Sequence, residues 1–245
     1  MSGHSHAKTI KREKNITDQK RGQIFSKMAR LISVAAKEGG PNPETNSKLK
    51  LAIDAAKNYN LPKENIERAI KRATGELPGE RLEEVLFEAY GPGGIAIIIE
   101  GITDNKNRAL GEVKQVLNQK GGKLVGEGAV KWMFERKGCI TLRIANLDEL
   151  RIKNKEEVEL KVIEAGAEDL SWHEDTLDIY TKPENLEKVK KSLEEKEIKI
   201  EAASLDWVAK EEIEVEEKTK EAAQKLFETL DELDSVQEIY SNLKV

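Results

Sequence analysis

The sequence predicts an α+β protein: an N-terminal three-helix bundle followed by two small α+β sandwich domains, one inserted into the other. Three observations predict it. Apolar residues recur every three or four positions through residues 20–75, and every second position beyond residue 79. Strand-like and helix-like segments then alternate to the end of a 245-residue chain, long enough for two to three small domains. Finally, residues 80–130 lack partners unless the last β-α-β stretch returns to them. The expected organisation is a flexible basic arm over 1–19 and a helical bundle over 20–78. A discontinuous α+β domain takes 79–131 plus 209–245, with an inserted βαβ-type domain over 132–208.

The arm comes first. Ile10 and Ile16 are its only large apolar side chains, too little surface to order a segment on its own. From Lys20 the pattern becomes that of an amphipathic helix, with Ile24, Met28, Leu31, Ile32 and Ala35 on one side. Gly39-Gly40-Pro41 stops it. A second helix is expected after Asn46 with Leu49, Ala52, Ile53 and Ala56 inward. A third starts near Pro62, whose fixed φ suits a first turn, and carries Ile66, Ala69 and Ile70.

Beyond the linker at 76–79, residues 85–90 read as a strand, Gly91-Pro92-Gly93-Gly94 as a tight turn, and 95–102 as a buried strand. Asp104 or Asn105 can cap a helix running to Gln119, with Leu110, Val113 and Leu117 inward. Residues 130–134 and 139–144 are expected as strands, 155–165 as a helix and 177–180 as a strand. Thr181 and Glu184 have capping-box spacing ahead of a helix with Leu186, Val189 and Leu193 inward. A strand over 198–208 follows, then strand 213–215, helix 218–233 and strand 236–243.

Charge is unevenly spread. The chain holds 41 Lys+Arg against 46 Asp+Glu, yet its first 75 residues hold 16 against 7. Such asymmetry suggests a device for meeting a polyanion, carried on a body kept soluble by negative charge. The segment from Gly3 to Lys37 is the most basic stretch, and within the bundle Arg68, Lys71 and Arg72 share the solvent side of the third helix with Lys48, Lys50 and Lys57 on the second. A charged helix face commonly serves only solvation, whereas like charges in an arm without a core have no structural use.

Other chemistries find little support. GPGG and KGG lack the Walker lysine-serine order and the dinucleotide spacing, so they read as turns. No serine or cysteine stands in a nucleophile motif, no carboxylate pair is set apart, and no Cys/His spacing suits zinc. His173 reads as a surface residue among acids. If Met1 were removed, Ser2-Gly3-His4 would offer an amine, two amides and an imidazole to copper(II) or nickel(II), but an incidental histidine is the preferred reading. No enzyme activity, cofactor, metal or small-molecule substrate is expected. The lone Cys139 lies in a strand-like run and is expected as a buried thiol in a reducing cytoplasm. No apolar run approaches the roughly 18 residues of a membrane span, and the N-terminus is too basic for a signal peptide.

The segments GHSHAKTIK, KRGQIFSKMARLI, GGPNP, NLPKENIERAIKR, YGPGGIAIIIEGITDNKNR, GGKL and VKWMFERKG, in that order from Gly3 to about Gly138, closely resemble the YebC family. That family includes the mitochondrial translational activator of cytochrome c oxidase. The resemblance implies a helical N-terminal domain and two α+β domains, the third inserted in the second. It also implies a non-enzymatic regulator of gene expression, either a DNA-binding transcriptional regulator or a ribosome-associated translation factor that eases stalling at proline-rich stretches. Two positions depart from the family pattern: Ala7 stands where a tryptophan is usual, and Ser47 where a proline is usual.

Together these readings give a cytoplasmic, monomeric nucleic-acid-binding regulator, with the translation role on ribosomal RNA preferred over operator binding. The candidate contacts are Lys8, Lys11, Arg12, Lys14, Lys20, Arg21, Lys27, Arg30, Arg68, Lys71 and Arg72. Arginine would give bidentate phosphate contacts and lysine point charges. The competing class is a protein-interaction adaptor that uses the acidic C-terminal domains.

Overall fold

The structure is a computed structural model and describes residues 18–143, 155–173 and 176–244. Among these, three helices come first: α1 (Asp18–Gly39), α2 (Ser47–Asn58) and α3 (Lys63–Ala73). They bury the periodic apolar residues against one another, with Ile24, Met28, Ile32, Leu49, Ala52, Ala56, Ile66 and Ala69 in one core. Asn46 sets the entry to α2. Its carboxamide oxygen accepts the Leu49 N–H at 3.0 Å, while its nitrogen donates to the carbonyls of Ala35 and Gly40, both at 2.8 Å. One buried side chain therefore caps α2 and satisfies the end of α1.

The chain then enters a four-stranded antiparallel sheet of order β3-β1-β2-β8, formed by β1 (Glu83–Tyr90), β2 (Ala96–Thr103), β3 (Lys123–Val125) and β8 (Val236–Ser241). Helices α4 (Lys106–Gln119) and α7 (Glu217–Asp231) cover one face, packing Val113, Leu117, Leu226, Phe227 and Leu230 on Ile97, Ile99 and Ile239. Because β2 is buried on both faces, it reads as a continuous apolar run rather than an alternation. The turn between β1 and β2 needs its glycines. Gly93 has φ +70°, and a Cβ there would stand 2.6 Å from the Thr219 methyl on α7. At Gly101 the ladder to β8 shifts register, and a Cβ would lie 2.4 Å from the Ser235 carbonyl oxygen.

A second sheet, of order β5-β6-β4-β7, belongs to the compact unit Arg136–Trp207. It contains β4 (Phe134–Arg143), α5 (Lys155–Glu164), β5 (Asp169–Trp172), β6 (Thr176–Thr181), α6 (Leu186–Glu195) and β7 (Ile200–Ala209). This is the split β-α-β-β-α-β arrangement. The remaining described chain, up to Glu135 and again from Val208, makes the other compact unit. Cys139 is buried and carries a free thiol.

Several expectations need correction. Residues 130–134 do not form a strand. Instead Lys131–Met133 is a 3-10 turn and β4 starts at Phe134. The cause is Glu88, a carboxylate only 2% exposed, which accepts the N–H groups of Gly128, Val130 and Lys131 at 2.6, 2.7 and 2.8 Å. Amides held this way are unavailable to a ladder. Leu110 is 39% exposed, since the buried stripe of α4 runs through Ala109, Val113, Val116 and Leu117. The Thr181–Glu184 capping box does not form. The Thr181 hydroxyl donates to the Lys182 carbonyl, and a 3-10 turn at Pro183–Asn185 leads into α6. Residues 213–215 shrink to one parallel bridge, Ile213 to Leu243. The short edge strands β3 and β5 carried no expectation. His173 is not a bare surface residue: its side chain is 11% exposed and its Nε2 lies 2.7 Å from the buried Asp178 carboxylate.

Glu88 also fixes a pH dependence. Burial pushes its carboxyl up, but the three backbone N–H donors outweigh burial and hold it below its ordinary value of about 4.5. A depressed carboxylate stabilises the fold above that ordinary value and loses its contribution as pH falls through the folded-state value. Glu88→Ala is therefore expected to cost roughly 3 kcal/mol at neutral pH. In urea titrations the difference from wild type should be full above the ordinary carboxyl value and shrink as pH falls through the depressed folded-state value and Glu88 is protonated.

Candidate nucleic-acid interface

The basic residues singled out by sequence divide by where α1 places them. Lys8, Lys11, Arg12 and Lys14, and with them His4, lie outside the described residues. Lys20 and Arg21 are exposed on the first turns of α1. The same helix then turns two flanks inward. One carries Ile24, Met28, Ile32 and Ala35 into the bundle core. The other carries Lys27, Arg30 and Lys37 toward the α+β part of the same unit.

On that second flank all three cations bond to protein acceptors, Lys27 away from solvent and Lys37 while still exposed. Lys27 is 4% exposed, and its ammonium donates to the Asp231 carboxylate at 2.8 Å and the Asp231 carbonyl at 2.6 Å. Arg30 donates to the Asp234 carbonyl, and Lys37 to the Leu82 carbonyl at 3.2 Å. Asp231 ends α7, where unpaired carbonyls and the helix dipole concentrate negative charge. Lys27 neutralises that end. It is an interior anchor, which corrects its inclusion among phosphate contacts. A sequence signal for this existed in Val34, a buried apolar residue outside the bundle core that widens the buried arc of α1.

On α3 the sequence-predicted set is exposed. Arg68, Lys71 and Arg72, at i, i+3 and i+4, lie opposite Ile66, Ala69 and Ile70. α1 and α3 are packed together, the Ser33 hydroxyl donating to the Ala69 carbonyl at 3.0 Å. The face is not purely cationic, because Glu64 and Glu67 share it and Glu67 pairs with Lys63 at 3.6 Å. Lys48 of α2 is half-buried between Glu38 at 2.6 Å and Glu84 at 2.7 Å. Burial draws its ammonium down, but the bonds to Glu38 and Glu84 outweigh this and raise it above its ordinary value. Lys48 is thus committed to the protein, unlike the open face expected for α2.

A concavity of about 330 Å³ lies beside Arg30 and is lined also by Arg108, Asp104, Glu112 and Asp234. Three carboxylates outnumber two guanidiniums, and Arg108 is already bonded to Asp104. It offers no excess positive charge to a phosphate. Among the described residues, no group of three or more His, Cys, Asp or Glu side chains is placed to hold a metal ion. Among them too, no helix is long and apolar enough to cross a membrane.

The architecture is an α+β fold with an N-terminal helical part, a class shared with known proteins along the whole chain. Residues 5–76 match the TACO1/YebC protein N-terminal domain, and residues 82–243 match the TACO1/YebC second and third domain. The chain belongs to the TACO1/YebC family, as its sequence motifs indicated. A relative from Caldanaerobacter subterraneus subsp. tengcongensis is 46% identical over 100% of this chain and 99% of its own. One from Bacillus licheniformis is 46% identical over 99% and 100%. Both carry the name probable transcriptional regulatory protein. The crystal structure of a conserved hypothetical protein from Aquifex aeolicus superposes with a TM-score of 0.86 at 44% identity, covering 98% of this chain and 97% of that one.

The two classes of lysine and arginine should separate by measurement. Lys27→Ala removes the buried partner from the partly exposed Asp231 and is expected to cost about 2–3 kcal/mol of stability by chemical denaturation. The triple change Arg68→Ala, Lys71→Ala, Arg72→Ala should shift stability by less than about 1 kcal/mol, because exposed charges contribute little.

Proposed function

We propose that the protein is a non-enzymatic, nucleic-acid-binding regulator of gene expression that acts in the cytoplasm as a translation factor. In this reading it associates as a monomer with ribosomal RNA and eases stalling at proline-rich stretches. The observation that carries the reading is the charge asymmetry: a chain acidic overall concentrates its positive excess in the first 75 residues. Lys20, Arg21, Arg68, Lys71 and Arg72 are exposed on α1 and α3, continuing the basic run of Lys8, Lys11, Arg12 and Lys14. The burial of Lys27 and the bonding of Arg30 narrow the contacting set to these nine residues.

The relatives' name, with its reference to transcription, favours a second reading as a DNA-binding regulator. Against it, the exposed face of α3 mixes Arg and Lys with Glu64 and Glu67, and its one carboxamide, Asn65, is partly buried, a poor set for reading base edges. Phosphate and shape recognition of structured RNA fits those side chains better. The proline-stalling role rests on family resemblance alone. The acidic C-terminal region serves here to orient the basic end rather than as the primary docking surface.

If about five phosphates are neutralised, the slope of log affinity against log salt on single strands should be roughly −3.5. Replacing Lys8, Lys11, Arg12 and Lys14 with alanine should flatten that slope to about −0.7 without moving the melting temperature. A steep slope surviving the replacement moves the site elsewhere. Co-sedimentation of the intact chain with ribosomes, with and without nuclease, separates RNA contact from a protein-docking role.

A further inference from the structure

Trp132 occupies the 3-10 turn before β4 with 63% of its surface exposed. Leaving so large an aromatic in water forfeits its burial energy, yet the chain holds it there firmly. The indole N–H donates to the Ala129 carbonyl at 3.0 Å. Glu88 pins the backbone on either side of Ala129 through Gly128, Val130 and Lys131. The next carbonyl, that of Met133, accepts the Lys210 N–H at 2.9 Å. A ring fixed by its own hydrogen bond on a backbone fixed at both ends is preorganised for contact.

Its surroundings discriminate between partners. The other exposed large apolar side chains among the described residues are Leu77, Leu110, Leu160 and Ile163, none in this loop. A protein-docking patch would carry an apolar centre several side chains wide. Here the flanking residues are exposed Lys131 and, across the Met133 bond, exposed Lys210. Glu127 and Glu135 are exposed nearby in sequence, so the loop is no cationic stripe and long-range attraction is left to the N-terminal end. One exposed π face, with lysines at neighbouring backbone positions, suits an unpaired base. The basic arm over residues 1–19 contains no Phe, Tyr or Trp, and its only aromatic rings are the small imidazoles of His4 and His6.

We propose that Trp132 is a stacking platform for one unpaired base of a bound single strand. The proposal rests on the nucleic-acid reading above and deepens it: the basic end supplies sequence-independent attraction, and Trp132 supplies a preference for unpaired strands.

The test uses the full chain with a fluorescein-labelled oligouridine of about 20 nucleotides, longer than a single-strand site, and an RNA duplex of equal length, across a salt series. Trp132→Ala is expected to weaken single-strand binding about tenfold at every salt concentration. The salt slope should stay unchanged, because stacking releases no counter-ions. Duplex affinity should not move, Trp132→Phe should retain most single-strand binding, and neither variant should lower the melting temperature. Wild-type single-strand affinity in Trp132→Ala, or an equal loss on strand and duplex, overturns the platform and leaves the nucleic-acid reading standing. Failure of the wild-type chain to bind either probe overturns both.

Discussion

The arrangement depends on one buried ammonium meeting the end of one helix. Lys27 enters from α1 and satisfies the carboxylate and carbonyl of Asp231, where α7 would otherwise end with uncompensated negative charge. Desolvating an ammonium is expensive, and such a pair holds only when its hydrogen bonds are well made. Around it, Arg30 reaches the Asp234 carbonyl and Lys37 the Leu82 carbonyl. These contacts tie α1, already part of the bundle core, to the α+β part of the unit by hydrogen bonds. The exposed cations at its start are thereby carried on a helix whose orientation is set by the α+β part of the unit.

The loop before β4 follows a similar logic with the charges reversed. Glu88 is a buried anion with no cation as its main partner; three backbone N–H groups serve instead. An amide cradle of this kind binds any anion of the right size, and here a side chain of the protein fills it. The three charge-assisted hydrogen bonds offset both the burial of the charge and the ordering of the loop that displays Trp132.

Most of the fold was legible because its signals are local. The three helices, the cap at Asn46, the β1–β2 hairpin and the buried run of β2 each rest on residues close together in sequence. The misreadings share a different origin. Lys27 looks like any basic residue of an amphipathic helix, and only a partner 204 positions away makes it interior. Residues 130–134 have strand composition, but a carboxylate some 40 positions earlier captures their amides. His173 stands among acids in sequence, yet its side chain is largely buried against Asp178, brought across the β5–β6 hairpin. The family was legible from several motifs in fixed order, and the candidate interface only in part, since composition reports charge without saying which charges face solvent.

The bond from the Lys210 N–H to the Met133 carbonyl places the outgoing and returning passages of the chain side by side. The residues between them, Arg136–Trp207, complete their own sheet. A module grafted through two neighbouring stems perturbs its host least at the graft point, because the host sees a short seam rather than a gap. The host closes that seam with a backbone hydrogen bond of its own, and the length of the intervening piece does not enter it.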